Sequence, residues 1–200
     1  MEGKVNYMKI KSKSNKSGPL TALSALAEQL QSTINLTQLA LPETTHQRLL
    51  ELASHIKHKE TKSESIGHSA NPGVIVLFAG ASGAGKTMAA TALAKHLELA
   101  LYRIDLNSIV GKYIGETEKN LRQLFDAAEE GGAILFFDEA DALFGKRSEV
   151  KDSHGRYANI EIGYLLQRIE SFQGLIILSS KMKSNIDPAC LRRLHYTIEI

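Results

Sequence analysis

Residues 80–87 read GASGAGKT, a glycine, four residues and then Gly-Lys-Thr. Small side chains there let successive backbone N–H groups converge on an anion, and the N-terminus of a following helix adds partial positive charge. The chemistry this suits is the holding of a nucleoside triphosphate. Lys86 would reach the β- and γ-phosphates, and Thr87 would offer its hydroxyl to a Mg²⁺ whose other ligands are mostly phosphate oxygens and water. The stretch expected to touch the nucleotide is Gly80, Ala81, Ser82, Gly83, Ala84, Gly85, Lys86, Thr87 and Met88. A glycine-rich turn of no chemical consequence could have the same spacing. An apolar run before it and a helix former after it argue for the functional reading.

A second pattern complements the first. The apolar run Ala133–Phe137 ends in Asp138-Glu139. A carboxylate at the C-terminal end of a buried parallel strand lies on the sheet edge where ligands collect, so Asp138 can hold the metal, usually through water. Glu139 would orient and polarise the attacking water. A lone carboxylate at a strand end is more often a helix cap or a solvated charge, which is the reading for Asp141. Each motif is weak separately, and together they constrain one site.

Positioning these groups requires strands that alternate with helices. Val74–Ala79 and Ala133–Phe137 are short and continuously apolar, as in strands covered on both faces. Leu101–Leu106, Leu175–Ser179 and Tyr196–Ile200 complete the expected strands. Helices are expected over Met88–Leu99, over Glu116–Glu130 with Leu121, Leu124 and Phe125 inward, and near Tyr157–Phe172. The alternation implies right-handed crossovers in a layered α/β domain at 74–200.

Ahead of it, residues 1–18 carry five lysines and one glutamate without apolar periodicity, the composition of a solvated, disordered basic tail. Residues 19–60 read as helical: Leu23, Leu26, Leu30 and Ile34 recur at helical intervals, and a second helix begins after Pro42 with Leu49, Leu52, Ala53 and Ile56 on its apolar side. The chain turns polar from Lys57, and 61–73 reads as a linker ending in Asn-Pro-Gly.

Composition narrows the function classes. In 200 residues, 43% hydrophobic and 23% charged, a globular core fits, whereas fibrous and disulfide-scaffold classes do not. The net charge is only +2, and residues 71–200 hold 15 basic against 16 acidic side chains, so nucleic acid is not an expected partner. Cys190 is alone, and no apolar run nears the roughly 18 residues of a membrane helix. With no apolar segment behind the N-terminal lysines, a soluble, cytoplasmic chain without membrane association is expected. The seven histidines lack the spacing of a zinc-protease helix.

GASGAGKT, the AILFFDEAD run and GKYIGETEKNLRQLF between them together resemble the AAA+ ATPases, nearest to the AAA branch of ring-forming remodelling enzymes. The resemblance covers Gly73–Ile200. The stretch LALPETTHQRLLELASHIKHK, followed by this core, is also similar to a bacterial subgroup found with contractile injection systems. The resemblance implies a P-loop NTPase three-layer sandwich of parallel strand order 5-1-4-3-2, ATP with Mg²⁺, and hexamers that bind ATP between neighbours.

Other segments take expectations from the same resemblance. Lys112-Tyr113-Ile114 resembles the AAA pore loop that grips a polypeptide client; an aromatic packs on any partner, and Gly111 and Gly115 permit movement. The alternative is that Tyr113 covers an apolar edge within its own subunit. Asp141–Asn159 resembles the second pore-facing loop or is an ordinary solvated surface. NIDPACLRRL resembles the region whose arginines act across the subunit boundary, with Arg192 and Arg193 as candidates; either could instead make a surface ion pair. Where the family has an asparagine to orient the water, this chain has Lys181, which cannot accept a hydrogen bond. The family's small helical lid is not expected within this chain. Two functions follow: ATP hydrolysis driving remodelling or translocation of a protein partner, or an ATP-binding assembly subunit with weak or no hydrolysis.

Overall fold

The computed structural model describes residues 23–24, 26–65, 73–104, 116–141, 163–186 and 188–200. Six strands form a single sheet: β1 (Glu28–Leu30), β2 (Val74–Ala79), β3 (Leu101–Ile104), β4 (Ile134–Phe137), β5 (Leu175–Ser180) and β6 (Tyr196–Glu199), in the order β1-β3-β4-β5-β2-β6. β2 to β6 are all parallel, and counted as one to five they have the expected order 5-1-4-3-2. β1 is an addition, antiparallel beside β3. Every residue of β2, β4 and β5 is buried, which explains why β2 and β4 are unbroken apolar runs and β5 opens with one, Leu175–Leu178, rather than alternating.

Side-chain alternation divides the interior in two. Ile75, Leu77, Leu135 and Phe137 face one side of the sheet, and Val76, Phe78, Ile134 and Phe136 face the other. The first side is covered by α3 (Glu116–Gly131), through Leu121, Leu124 and Phe125, and by α4, helical over residues 163–171, through Leu165 and Ile169. Phe125 meets Phe172 edge-on at 5.6 Å, and the Arg168 guanidinium lies 5.3 Å above the Phe125 ring while bonding Asp126 at 2.6 Å. The second side is covered by α1 (Glu43–Ser65) and α2 (Lys86–Leu97). A three-layer α/β sandwich results. A short α5 (Pro188–Leu191) leads into β6.

Two expectations for the N-terminal segment are corrected. Leu23, Leu26, Leu30 and Ile34 do not share one helix: helical structure at Leu23, where Leu23 C=O accepts from Ala27 N–H at 2.8 Å, gives way to strand β1. Leu23 is buried on the α3 side of the sheet and Leu30 on the α2 side, a division no single helix face could achieve. The unpaired backbone edge of β3 takes Glu28–Leu30 as a partner, and Arg103 bonds Glu28 at 2.5 Å; this tertiary pull overrides the helical spacing. The linker also begins later than residue 61, because α1 continues to Ser65 through helix-forming Lys and Glu residues.

As expected, α1 starts after Pro42 and buries Leu49, Leu52, Ala53 and Ile56. It is fastened to β6, the opposite edge of the sheet from β1. Thr45 Oγ1 donates to Glu199 C=O at 3.0 Å, and His55 meets Tyr196 edge-on at 5.7 Å. Lys95 Nζ on α2 donates to Thr33 C=O at 2.9 Å. Residues 26–56 thus belong to the same body as the strands.

Candidate active site

Because β2, β5 and β4 are adjacent and parallel, their C-terminal ends open on one edge of the sheet. Register makes the juxtaposition specific: Ala79 pairs with Ser180, and Phe137 with Leu178. The segment after each strand carries one sequence motif, so the glycine loop, Lys181 and Asp138-Glu139 meet side by side. Backbone bonds fix them there, Gly80 N–H to Ser180 C=O at 3.1 Å and Ala140 N–H to Ser179 C=O at 2.7 Å.

The loop turns sharply from β2 into α2. Gly83 has φ of 81° and Gly85, the residue before the helix, 101°, both in the left-handed region that favours glycine. A Cβ at Gly83 would have no neighbour within 4 Å, so the loop is open at that point. Ala84 N–H closes a turn onto Ala81 C=O at 3.1 Å. Lys86 Nζ donates to Gly80 C=O at 2.7 Å and Ala81 C=O at 2.8 Å, which folds its ammonium over the same loop. Thr87 stands half-buried in the first turn of α2, and Met88 after it is exposed. That turn leaves backbone N–H groups without intrahelical acceptors.

Across the edge, Asp138 is partly exposed and its Oδ1 accepts from Glu139 N–H at 3.0 Å. Glu139 has φ of 51°, a left-handed conformation that is costly for a residue with a side chain. Its carboxylate is largely exposed, and Lys181 Nζ lies 4.0 Å from its Oε1.

The donor set suits Mg²⁺. Thr87 and Asp138 offer hard oxygens only, and among the described residues no three His, Cys, Asp or Glu side chains converge as a protein-made metal cage. Two protein oxygens, with phosphate and water completing the shell, match how this ion is usually held beside phosphates.

The remaining candidates divide. Lys112, Tyr113 and Ile114, and 142–159 of the second loop, lie outside the described residues. Arg193 forms an ion pair with Glu170 on α4 of its own chain, whereas Arg192 next to it is exposed. Sequence reasoning had no signal for Glu170, since nothing local couples it to a residue 23 positions away. His195 serves the fold: its N–H donates to Ile75 C=O at 2.8 Å and its Nδ1 accepts from Ile75 N–H at 3.1 Å. Among the described residues, no helix is long and apolar enough to cross a membrane.

Comparison with known proteins bears on the family. Residues 76–200 match the model of the ATPase family associated with various cellular activities (AAA). An uncharacterized AAA family ATPase, y4kL, of Sinorhizobium fredii is 34% identical over 122 residues, covering 59% of this chain and 36% of that protein. A 26S proteasome regulatory subunit 8 homolog of Naegleria fowleri is 37% identical over 143 residues, 68% of this chain and 34% of its own. The proteasome-activating nucleotidase of Methanopyrus kandleri is 34% identical over 122 residues, 58% and 28% respectively. The matched region is thus about a third or less of each of these relatives.

Proposed function

We propose that this chain, which belongs to the AAA family of ATPases, binds ATP with Mg²⁺ at the β2–β5–β4 edge and hydrolyses it to remodel or translocate a protein partner. The observation that carries the reading is the register of three parallel strands, which brings the glycine loop and an Asp-Glu pair to one edge. Residues 80–88 cradle the phosphates, with the amides at the start of α2 and the Lys86 ammonium supplying positive charge. Thr87 and Asp138 hold the metal, which when bound neutralises charge on the phosphates. Glu139 accepts a proton from the attacking water and orients it.

Arg192 is the better candidate for stabilising charge in a neighbour's site, because Arg193 is engaged with Glu170. That role requires an assembly, and the reading is of a hexameric ring, located in the cytoplasm, with Lys112-Tyr113-Ile114 facing a polypeptide in its channel. The relatives whose names mention proteasomes lend the protein-client part of this reading its support.

One observation favours the second reading, a subunit that binds ATP and turns it over weakly. Lys181 stands 4.0 Å from the carboxylate meant to act as base. Phosphate release by the wild type and by Glu139→Gln separates the two. A motor loses about 10²–10⁴-fold in rate on that substitution while retaining ATP binding. Equal rates, with binding retained, give the assembly role.

A further inference from the structure

A line of hydrogen bonds crosses the sheet at the base of the phosphate loop. Thr45 Oγ1, on α1, donates to Glu199 C=O at 3.0 Å. That carbonyl shares a rigid peptide unit with Ile200 N–H, which donates to Ala79 C=O at 2.8 Å. The Ala79 carbonyl in turn shares its unit with Gly80 N–H, which donates to Ser180 C=O at 3.1 Å. Two peptide units are thus strung head to tail from α1, across the C-terminal ends of β6 and β2, to the last residue of β5. Every donor points the same way, so each bond polarises the next.

The line is sheltered from water. Thr45 is 7% exposed, Ala79 4% and Ser180 1%, and in such surroundings a carbonyl that loses its donor is poorly compensated. Line and loop meet at Gly80. Its N–H belongs to the line, and its C=O accepts from Lys86 Nζ at 2.7 Å. Ile200 also crowds Gly80, leaving no room there for a Cβ. A shift of the Glu199–Ile200 peptide unit is therefore passed to the first residue of the loop both through a bond and through contact.

A second bond from α1 offers an internal comparison. Arg48 donates to Thr197 C=O at 3.4 Å. The N–H of that peptide unit belongs to Ile198, which the register places opposite Phe78, inside β2 and short of the loop. Arg48 holds the same strand without touching the line.

We propose that Thr45 is a positioning residue for the phosphate loop: its hydroxyl anchors the line of peptide units that sets Gly80 and, through the Gly80 carbonyl, the Lys86 ammonium. The role rests on the ATP-binding reading of this edge and adds a residue of α1 to it. Without the anchor the loop spends part of its time outside the conformation that receives phosphate, and apparent affinity falls with the competent fraction that remains. ADP and ATP lose alike, because the loop grips phosphates that both carry.

Titration calorimetry on the intact chain tests this, with Mg²⁺ and either ADP or the slowly hydrolysed analogue ATPγS, well below the thermal midpoint of each variant. Thr45→Val keeps the shape of the side chain and removes the donor; it weakens both nucleotides about three- to tenfold. Thr45→Ser keeps the donor and stays within about twofold of wild type, as does Arg48→Ala. Hydrogen exchange on nucleotide-free wild type needs no variant. The Gly80 and Ile200 amides are protected to within about tenfold of each other, as members of one line.

Wild-type affinity in Thr45→Val, with only the thermal midpoint lowered, overturns the positioning role and leaves Thr45 a fastening of the fold. Equal losses in Thr45→Val and Thr45→Ser overturn it by tracing the effect to packing. A loss in Arg48→Ala as large as in Thr45→Val does so by tracing it to a general loosening of α1. Should Thr45→Val not fold, exchange decides: a Gly80 amide that exchanges freely beside a protected Ile200 amide breaks the line and the proposal with it. In all these results wild type still binds nucleotide. If wild type gives no heat with either nucleotide, the ATP-binding reading itself fails, and Thr45 has no phosphate loop to position.

Discussion

Gly80 lies so close to Ile200 that a Cβ atom on the glycine would stand 2.1 Å from the Ile200 carbonyl oxygen. The two residues directly follow the neighbouring strands β2 and β6, and Ile200 N–H donates to Ala79 C=O at 2.8 Å. The first glycine of the loop therefore has a packing duty in addition to its proposed ligand duty. Gly80→Ala should destabilise the nucleotide-free protein by about 1–3 kcal/mol, as overpacking does. For a chain of this size each kcal/mol lowers the thermal midpoint by about 2–4 °C. An unchanged midpoint, measured without nucleotide, would show that β6 gives way easily.

The adjacent arginines should separate by experiment. Arg193→Ala breaks the pair with Glu170, half-exposed on both sides, and should cost at most about 1 kcal/mol of stability. Arg192→Ala should leave stability within about 0.5 kcal/mol. It should lower turnover of the assembled protein about 10³-fold or more. Mixing Arg192→Ala subunits with Glu139→Gln subunits should restore hydrolysis, since some interfaces then join an intact glutamate to an intact arginine. No recovery in the mixture would assign Arg192 to its own subunit.

Leu52→Ala should destabilise the whole molecule, not one end of it. Leu52 is fully buried between α1 and the sheet-side apolar cluster, where truncation to alanine costs about 2–5 kcal/mol. Thr45→Val, which removes the bond to Glu199, should cost about 1 kcal/mol. Denaturant unfolding should remain a single transition shifted to lower midpoint in both variants. Two transitions, with only one displaced, would mean that α1 folds apart from the strands.

Tyr113→Ala tests the client-gripping role proposed for the segment at residues 112–114. The number of client molecules unfolded per ATP hydrolysed should fall to background. A ratio equal to that of wild type would leave Tyr113 an ordinary packing residue.

Most of the strands were legible because burial on both faces forces unbroken apolar runs, and Val74–Ala79 and the Leu175–Leu178 portion of β5 are such runs. The glycine loop and Asp138-Glu139 were legible because each is contiguous in the chain. Glu28–Leu30 was not, since its strand pairing depends on an edge 73 positions away at Leu101–Arg103, and local spacing of leucines favours a helix. The same holds for Lys181 and Glu139: each could be singled out separately, but their approach to 4.0 Å depends on the β4–β5 register. Contacts across the sheet are set by topology, which a one-dimensional pattern carries only indirectly.

The segment from Leu26 to Ile56 laces one border of the sheet to the other, with Thr33 tied on the way to the helix that begins at Lys86. Tension applied upstream of Leu23 would be borne by that lacing, β1 first, before it reached the parallel strands. The front of the chain and the helix that follows the glycine loop are in this way yoked to the same girder.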